Sequence, residues 1–99
     1  MRYVENARAS AKEIADLREA EGWNRMEAVY NDPTMVSFFH IAVYDGDKLI
    51  GYIDSVGNVV TDAYIQDLMV HPDYQGKGIG TELMNRMIAY LKERKIYMI

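Results

Sequence analysis

The chain has 99 residues, of which 49% are hydrophobic and 26% are charged, so residues 1–99 are expected to form one small globular domain rather than a disordered segment. The net charge of −4 argues against a nucleic-acid-binding protein, which would present a basic face. Because there is no cysteine and no run of roughly 20 apolar residues, we expect no disulfide, no thiolate metal site and no membrane span, and therefore a soluble, cytoplasmic protein.

Two helices are predicted in the first third of the chain. Ser10, followed three places later by Glu13, is a capping-box pattern, which predicts a surface helix over residues 9–21. A second, short helix is expected over residues 25–30, because the sequence Asn-Asp-Pro that follows it is a strong helix breaker.

Three strands are predicted in the middle of the chain. Runs rich in β-branched and aromatic residues at 38–44 and 49–54 flank an Asp-Gly pair at 45–46, which indicates a hairpin. A longer strand is expected over residues 60–70, with the two-faced pattern typical of the middle of a sheet. A His-Pro pair at 71–72 ends this strand, since the residue before a proline disfavours helical geometry.

One more helix and one more strand complete the predicted fold. Apolar residues recur at helical spacing over residues 78–93, and the final residues KIYMI, 95–99, are typical of a strand. The resulting order is α-α-β-β-β-α-β. It predicts an α/β fold of the α+β type, with a mixed, mostly antiparallel sheet flanked by helices.

Three glycines, at positions 76, 78 and 80, immediately precede the last predicted helix in the stretch QGKGIGT. The first turn of a helix has unpaired N–H groups and a partial positive charge, and glycines let a phosphate approach them closely. Lys77 adds a positive charge and Thr81 a hydroxyl group. From spacing alone, a tight strand-to-helix turn explains these glycines about as well as a diphosphate site does. The stretch matches neither the P-loop nor the dinucleotide fingerprint.

The segment from Ala63 to Arg94 resembles the signature of the GNAT superfamily of acyl-CoA-dependent N-acyltransferases. The family motif [Q/R]-x-x-G-x-[G/A] is matched at every fixed position by residues 75–80, and the upstream DGDKLIGYIDSV is similar to the family's second-to-third-strand hairpin. The resemblance covers nearly the whole chain. It implies an N-acetyltransferase that transfers an acetyl group from acetyl-CoA to a primary amine of a small molecule or peptide. The alternatives are a non-catalytic CoA-binding module or a structural remnant of an acetyltransferase.

The resemblance also implies where the acyl donor binds. In this family the diphosphate of CoA lies on backbone amides of the glycine loop and helix start, and the pantetheine arm runs along the end of the preceding strand. A backbone N–H of that strand would also stabilise the oxyanion. By position, the residues are Gln75, Gly76, Lys77, Gly78, Ile79, Gly80 and Thr81 for the diphosphate, and Leu68, Met69 and Val70 for the arm.

Catalytic residues are less clearly implied. Family members often place a glutamate on the long strand to deprotonate the amine, and this sequence has Tyr64 at the corresponding position. Asp67, three residues farther on, is the nearest carboxylate in a plausible site position, and Asp62 and Asp54 are alternatives. For each aspartate, an ordinary solvent-facing or strand-end carboxylate is the competing interpretation.

Trp23 and Tyr30 are candidates for lining the acceptor pocket, which the family builds partly from its first two helices; ordinary packing is the alternative. His40 and His71 have no metal-ligand partner at a suitable spacing, so no metal site is assigned.

The chain ends where the family has its fifth strand, so it is expected to lack the usual C-terminal helix and strands, including the tyrosine that protonates the leaving thiolate. Weakened activity is therefore expected. An apolar edge strand such as KIYMI invites pairing, which predicts a homodimer through this strand and the side of the last helix that bears Met84, Met87 and Tyr90. A truncated sequence is the alternative.

Overall fold

A four-stranded antiparallel sheet with a helix on each face makes up the part of the chain that the computed structural model describes, residues 1–6, 9–31, 39–57 and 63–94. The elements are, in chain order, β1 (Arg2–Glu5), α1 (Ala11–Ala20), α2 (Glu27–Tyr30), β2 (Phe39–Asp45), β3 (Lys48–Gly57), β4 (Ala63–Val70), a 3-10 turn (Pro72–Tyr74) and α3 (Ile79–Glu93). The strands lie in the order β1-β2-β3-β4, and each is antiparallel to its neighbour. The predicted α+β class with a mostly antiparallel sheet is confirmed.

The first strand, β1, is absent from the predicted order of elements. It pairs with β2 from Arg2 opposite Tyr44 to Glu5 opposite Ile41. Its four residues RYVE are too short and too charged to show a strand pattern of their own, so the pairing with β2 determines their conformation.

Helix α1 begins at the predicted capping box. The backbone N–H of Glu13 donates to Ser10 Oγ at 3.1 Å, and the backbone N–H of Ser10 donates to Glu13 Oε1 at 3.1 Å. A side-chain cap of this kind contributes about 1 kcal/mol to helix stability. The buried residues Ile14 and Leu17 of α1 then pack on one face of the sheet, against Tyr52 and other residues of that face.

Helix α3 covers the opposite face of the sheet. Four of its residues, spaced four apart, are buried, and they contact β2 residues such as Phe39. The ring of Tyr90 stacks on Phe39 with 3.5 Å between the ring centroids. Met87 is fully buried in this layer, so the prediction that its side would face a second copy is wrong for this residue. The four buried residues are Ile79, Leu83, Met87 and Leu91.

Strand β4 lies at one end of the described sheet. Its predicted neighbour, the strand at 95–99, lies outside the described residues, so the expectation that β4 lies in the middle of the sheet stays a prediction. Of the predicted strand over 60–70, residues 63–70 form β4, and residues 60–62 lie outside the described part of the chain. The predicted strand KIYMI at 95–99, with the dimer edge assigned to it, also lies outside the described residues. Within the described ranges, no helix combines the length and the apolar character that crossing a bilayer requires.

Candidate functional site

A β-bulge interrupts the pairing of β4 with β3. Tyr52 pairs with Met69 and Asp54 pairs with Gln66, so two residues of β4 lie opposite one residue of β3. Asp67, one of these two residues, has a φ of +55°, a left-handed conformation that aspartate tolerates better than most residues. The bulge changes the direction of the Asp67 side chain relative to a regular strand, and the side chain meets residues of α1 and α2.

The Asp67 carboxylate lies in a partly buried polar cluster, named here the Arg18 cluster, with Arg18 and Tyr30. Tyr30 donates its hydroxyl hydrogen to Asp67 Oδ2 at 2.6 Å, and Arg18 Nη1 lies 3.4 Å from Asp67 Oδ1. The side chains of Arg18 and Asp67 are only 12% and 18% exposed. Both oxygens of the predicted catalytic carboxylate are therefore engaged, one of them by a cation.

Arg18 also fixes the segment that joins α1 to α2. Its Nε donates to the carbonyl of Asn24 at 2.6 Å, and its guanidinium lies 5.2 Å from the centre of the Trp23 ring. Tyr30 and Trp23, the two predicted acceptor-pocket residues, thus both contact Arg18. Tyr30 is buried inside the cluster, whereas Trp23 is 40% exposed.

The other predicted catalytic residues lie apart from the Arg18 cluster. Tyr64 is 72% exposed on β4. Asp54 is buried in β3, where its Oδ1 accepts the backbone N–H of Ser55 at 2.7 Å. Asp62 lies outside the described residues.

The ionisation of Tyr30 should make stability fall at high pH. Burial, and then the hydrogen bond to Asp67, raise the pKa of Tyr30 from 10.0 to about 12. The unfolded chain loses this proton near pH 10, while the folded protein keeps it. The contribution of Tyr30 to the free energy of unfolding is therefore complete below pH 10 and is lost between pH 10 and about 12. Two pKa units correspond to about 2–3 kcal/mol of unfolding free energy at pH 12.

Thermal unfolding from pH 9 to pH 12, measured for the natural protein and Tyr30→Phe, checks this expectation. The variant should be less stable at neutral pH but should lose less stability as the pH rises. Other tyrosines titrate equally in both proteins, so equal losses in the two would contradict the assignment to Tyr30.

The glycine loop forms a turn that leads directly into α3. Gly76 and Gly78 have φ values of +79° and +82°, and Gly78 is the N-cap of the helix. A Cβ atom added at either position would meet nothing within 4 Å, so the backbone conformation, and not packing within the protein, requires glycine there. Gly80 differs: its φ is ordinary, and an added Cβ would make a normal 3.6 Å contact with Val70.

A cleft of about 360 Å³ lies between this loop and the end of β4. The first intrahelical hydrogen bond of α3 runs from the N–H of Glu82 to the carbonyl of Gly78, so the amides of residues 79–81 precede it. These amides and the positive end of the helix dipole suit an anion. The cleft is lined by Glu21, Leu68, Val70, Tyr74, Gln75, Gly76, Gly78, Ile79, Gly80 and Thr81.

Eight of the ten residues predicted to hold the donor line this cleft, and two do not. Met69 is fully buried on the α1 face of the sheet, because its side chain points to the side opposite that of Val70. Lys77 lies beside the loop, with its ammonium 5.6 Å from the centre of the Tyr74 ring. From this position the positive charge of Lys77 attracts an anion in the cleft at long range.

The backbone N–H and carbonyl of Val70 face the cleft from the side of β4 that points away from β3, named here the outer edge of β4. The neighbouring His71 N–H donates to Ile50 of β3 at 2.7 Å, whereas both polar groups of Val70 point away from β3. The Val70 N–H donates to Glu21 Oε1 at 2.8 Å, and the Val70 carbonyl accepts from Gln75 Nε2 at 2.9 Å. Gln75 Nε2 also lies 3.2 Å from Glu21 Oε2.

Sequence reasoning missed Glu21. It directly follows α1 and lies 49 positions before Val70, so no local pattern connects the two residues. Among the described residues, no cluster of histidine, aspartate or glutamate side chains could hold a metal ion.

The sequence profile of the Acetyltransferase (GNAT) family matches residues 4–99, and the chain belongs to this family. An uncharacterized N-acetyltransferase, ycf52-like, from Prochlorococcus marinus is 33% identical over 94 residues, which cover 85% of this chain and 49% of that protein. The chain thus spans about half the length of this relative.

Solved structures show the same fold. A probable acetyltransferase of unknown function from methicillin-resistant Staphylococcus aureus has a TM-score of 0.84 at 22% identity, covering 98% of this chain and 77% of that one. An aminoglycoside 6′-N-acetyltransferase complexed with coenzyme A has a TM-score of 0.76 at 21% identity, covering 96% of this chain and 57% of that one. At these identities the likeness concerns the fold.

Proposed function

We propose that the chain is an N-acetyltransferase domain that transfers an acetyl group from acetyl-CoA to a primary amine of a small molecule or peptide. The observation on which the proposal depends is the cleft, in which the start of α3 and the outer edge of β4 line the same space. Membership of the GNAT family and a structural neighbour complexed with coenzyme A support acetyl-CoA as the donor.

The diphosphate would bind at the glycine turn. The amides of residues 79–81 provide hydrogen-bond donors, and the positive end of the 15-residue helix α3 favours an anion there. Glu82, the acidic residue in the first turn of α3, is paired with Arg86 at 2.8 Å, which offsets its negative charge. Lys77 adds a positive charge beside the turn.

The pantetheine arm would bind along β4. An arm that contains two amides can pair with a strand edge as an added strand does. The Val70 N–H and carbonyl face the cleft from that edge, and Leu68 lies farther along it towards the bulge. This path would lead the thioester from the glycine turn towards the bulge at Asp67.

The reaction would be a direct transfer. The amine nitrogen attacks the thioester carbonyl carbon, the new C–N bond forms, the C–S bond breaks, and the CoA thiolate leaves with a proton gained from solvent. The amine must lose a proton, so a base is required. Asp67 is the candidate base nearest to the expected end of the arm, and Tyr64 and Trp23 offer exposed aromatic surface for the acceptor.

The Arg18 cluster favours a second candidate function, a CoA-binding module without catalysis. The Asp67 carboxylate accepts a hydrogen bond from Tyr30 and lies 3.4 Å from Arg18 Nη1, so both of its oxygens already have partners within the cluster. A protein that retains the donor cleft but has no available base would bind CoA and transfer nothing.

Two measurements test the proposal. Calorimetric titration with acetyl-CoA should show saturable binding, and absence of both heat and a thermal shift would refute donor binding altogether. Release of free thiol from acetyl-CoA in the presence of a panel of primary amines then separates the two candidates. Amine-dependent release that falls in Asp67→Asn supports the enzyme, whereas binding without release supports the module.

The proposal retains a homodimer, the partner expected from the sequence. Sedimentation analysis over a series of increasing protein concentrations tests it, and a monomer at every concentration would contradict it.

A further inference from the structure

The Glu21 side chain accepts a hydrogen bond from the Val70 N–H, the backbone amide of β4 that faces the cleft. Its Oε1 accepts the Val70 N–H at 2.8 Å, and its Oε2 lies 3.2 Å from Gln75 Nε2. Gln75 in turn donates to the Val70 carbonyl at 2.9 Å. The two side chains therefore satisfy both polar groups on the outer edge of Val70.

An extended ligand that pairs with this edge needs the same groups. One N–H cannot donate a full hydrogen bond to a carboxylate and to a ligand carbonyl at once, so the ligand and Glu21 compete for Val70. Glu21 also lines the cleft together with the residues of the glycine turn. The contact lies inside the site and is not a remote surface feature.

Glu21 differs from Asp67 in its electrostatic surroundings. Asp67 is paired with Arg18, whereas no lysine or arginine among the residues that the structure describes forms an ion pair with Glu21. The contacts of its carboxylate with Val70 and Gln75 are with two uncharged amides. Glu21 therefore breaks no ion pair when it releases the Val70 N–H, and water can solvate the released carboxylate.

We propose that Glu21 is a donor-site residue that holds the Val70 amide in the free protein and is exchanged for a carbonyl of the pantetheine arm when acetyl-CoA binds. This inference rests on the proposed function. It assigns Glu21 a defined effect on donor affinity: the carboxylate keeps the edge of β4 paired in the absence of the donor, and it weakens donor binding by the free energy of the contact that is lost.

Substitution of Glu21 tests the exchange. Glu21→Ala should bind CoA and pantetheine about tenfold more tightly than the natural protein, because the competing acceptor is gone and water replaces it. Adenosine 3′,5′-bisphosphate, which lacks the arm, should bind equally to both proteins. Glu21→Gln retains the shape of the side chain without its charge, and it should give a smaller increase in affinity.

Glu19→Ala is the matched control. It removes the same charge two positions earlier, within α1; the Glu19 side chain is 65% exposed and does not line the cleft. The affinity of this variant for CoA should equal that of the natural protein. Thermal unfolding of each variant shows whether it is folded, and Glu21→Gln replaces Glu21→Ala in the comparison if the alanine variant is not.

Hydrogen exchange of the Val70 amide, followed by NMR, gives a second readout. The amide should exchange slowly in the natural protein, fast in free Glu21→Ala, and slowly again when CoA is added to this variant. Slow exchange in free Glu21→Ala would contradict the role of Glu21.

Each remaining outcome has a distinct meaning. If the natural protein binds CoA and Glu21→Ala binds it equally or more weakly, the exchange is overturned and the proposed function stands. If Glu21→Ala raises the affinity for adenosine 3′,5′-bisphosphate as much as it raises the affinity for CoA, the effect is one of charge alone and the exchange is overturned. If the natural protein binds no CoA, the proposed function fails and the exchange fails with it.

Discussion

Replacement of Gly78 by valine is expected to lower the affinity for CoA by about 100-fold, equivalent to about 2.7 kcal/mol. Gly78 has a φ of +82° at the N-cap of α3, a conformation that a β-branched residue adopts only with strain of about 1–3 kcal/mol. Either the turn rearranges and the amides of residues 79–81 lose their common direction, or the valine side chain enters the donor cleft. Calorimetric titration with CoA measures the loss.

Gly46→Val separates this effect from strain in general. Gly46 lies in the turn between β2 and β3, has a φ of +61°, and has no atom within 4 Å of an added Cβ. The two variants should lose similar stability, whereas Gly46→Val should bind CoA normally because it lies outside the cleft. Normal CoA affinity in a folded Gly78→Val protein would contradict the assignment of the turn to the diphosphate.

Removal of Arg18 is expected to cause the largest loss of stability among the polar residues discussed. Arg18→Met should lower the free energy of unfolding by about 2–3 kcal/mol, because it leaves the partly buried Asp67 carboxylate without its cation. The hydrogen bond to the Asn24 carbonyl and the contact with Trp23 are lost as well. Urea unfolding of the natural protein and the variant measures the difference.

Lys12→Met is the control for this prediction. Lys12 belongs to the same helix and pairs with Asp16 at 2.9 Å, but its side chain is 74% exposed, so its loss should cost less than about 1 kcal/mol. A double-mutant cycle with Arg18→Met and Asp67→Asn should show strong coupling, since the second change removes the uncompensated charge that the first one creates. Additive losses would show that the two side chains do not act together.

Local patterns in the sequence were sufficient to predict several elements of the fold. The capping box at Ser10 starts α1, the Asp-Gly pair at 45–46 turns β2 into β3, and the apolar spacing after Gly78 defines the buried stripe of α3. The glycine motif also identified most of the cleft lining, because its backbone conformations are set by neighbouring residues. In each case the interacting groups lie within a few positions of one another.

Features that depend on pairing across the chain were not predictable in this way. Strand β1 has no strand pattern of its own, and it exists because β2 offers a partner. The bulge at Asp67 arises from the register of β4 against β3, and it directs a predicted catalytic carboxylate towards Arg18, where an ion pair forms. No sequence pattern anticipates that pair, since its members lie 49 positions apart.

The sequence by itself therefore determined the α+β class, the family motif and the position of the glycine turn, because short-range spacing encodes helices, hairpins and turns. The tertiary structure alone decided which groups meet at the site. It placed Asp67 beside Arg18 and Glu21 beside Val70, contacts that form only when α1 packs on the sheet and buries polar groups that must then find partners.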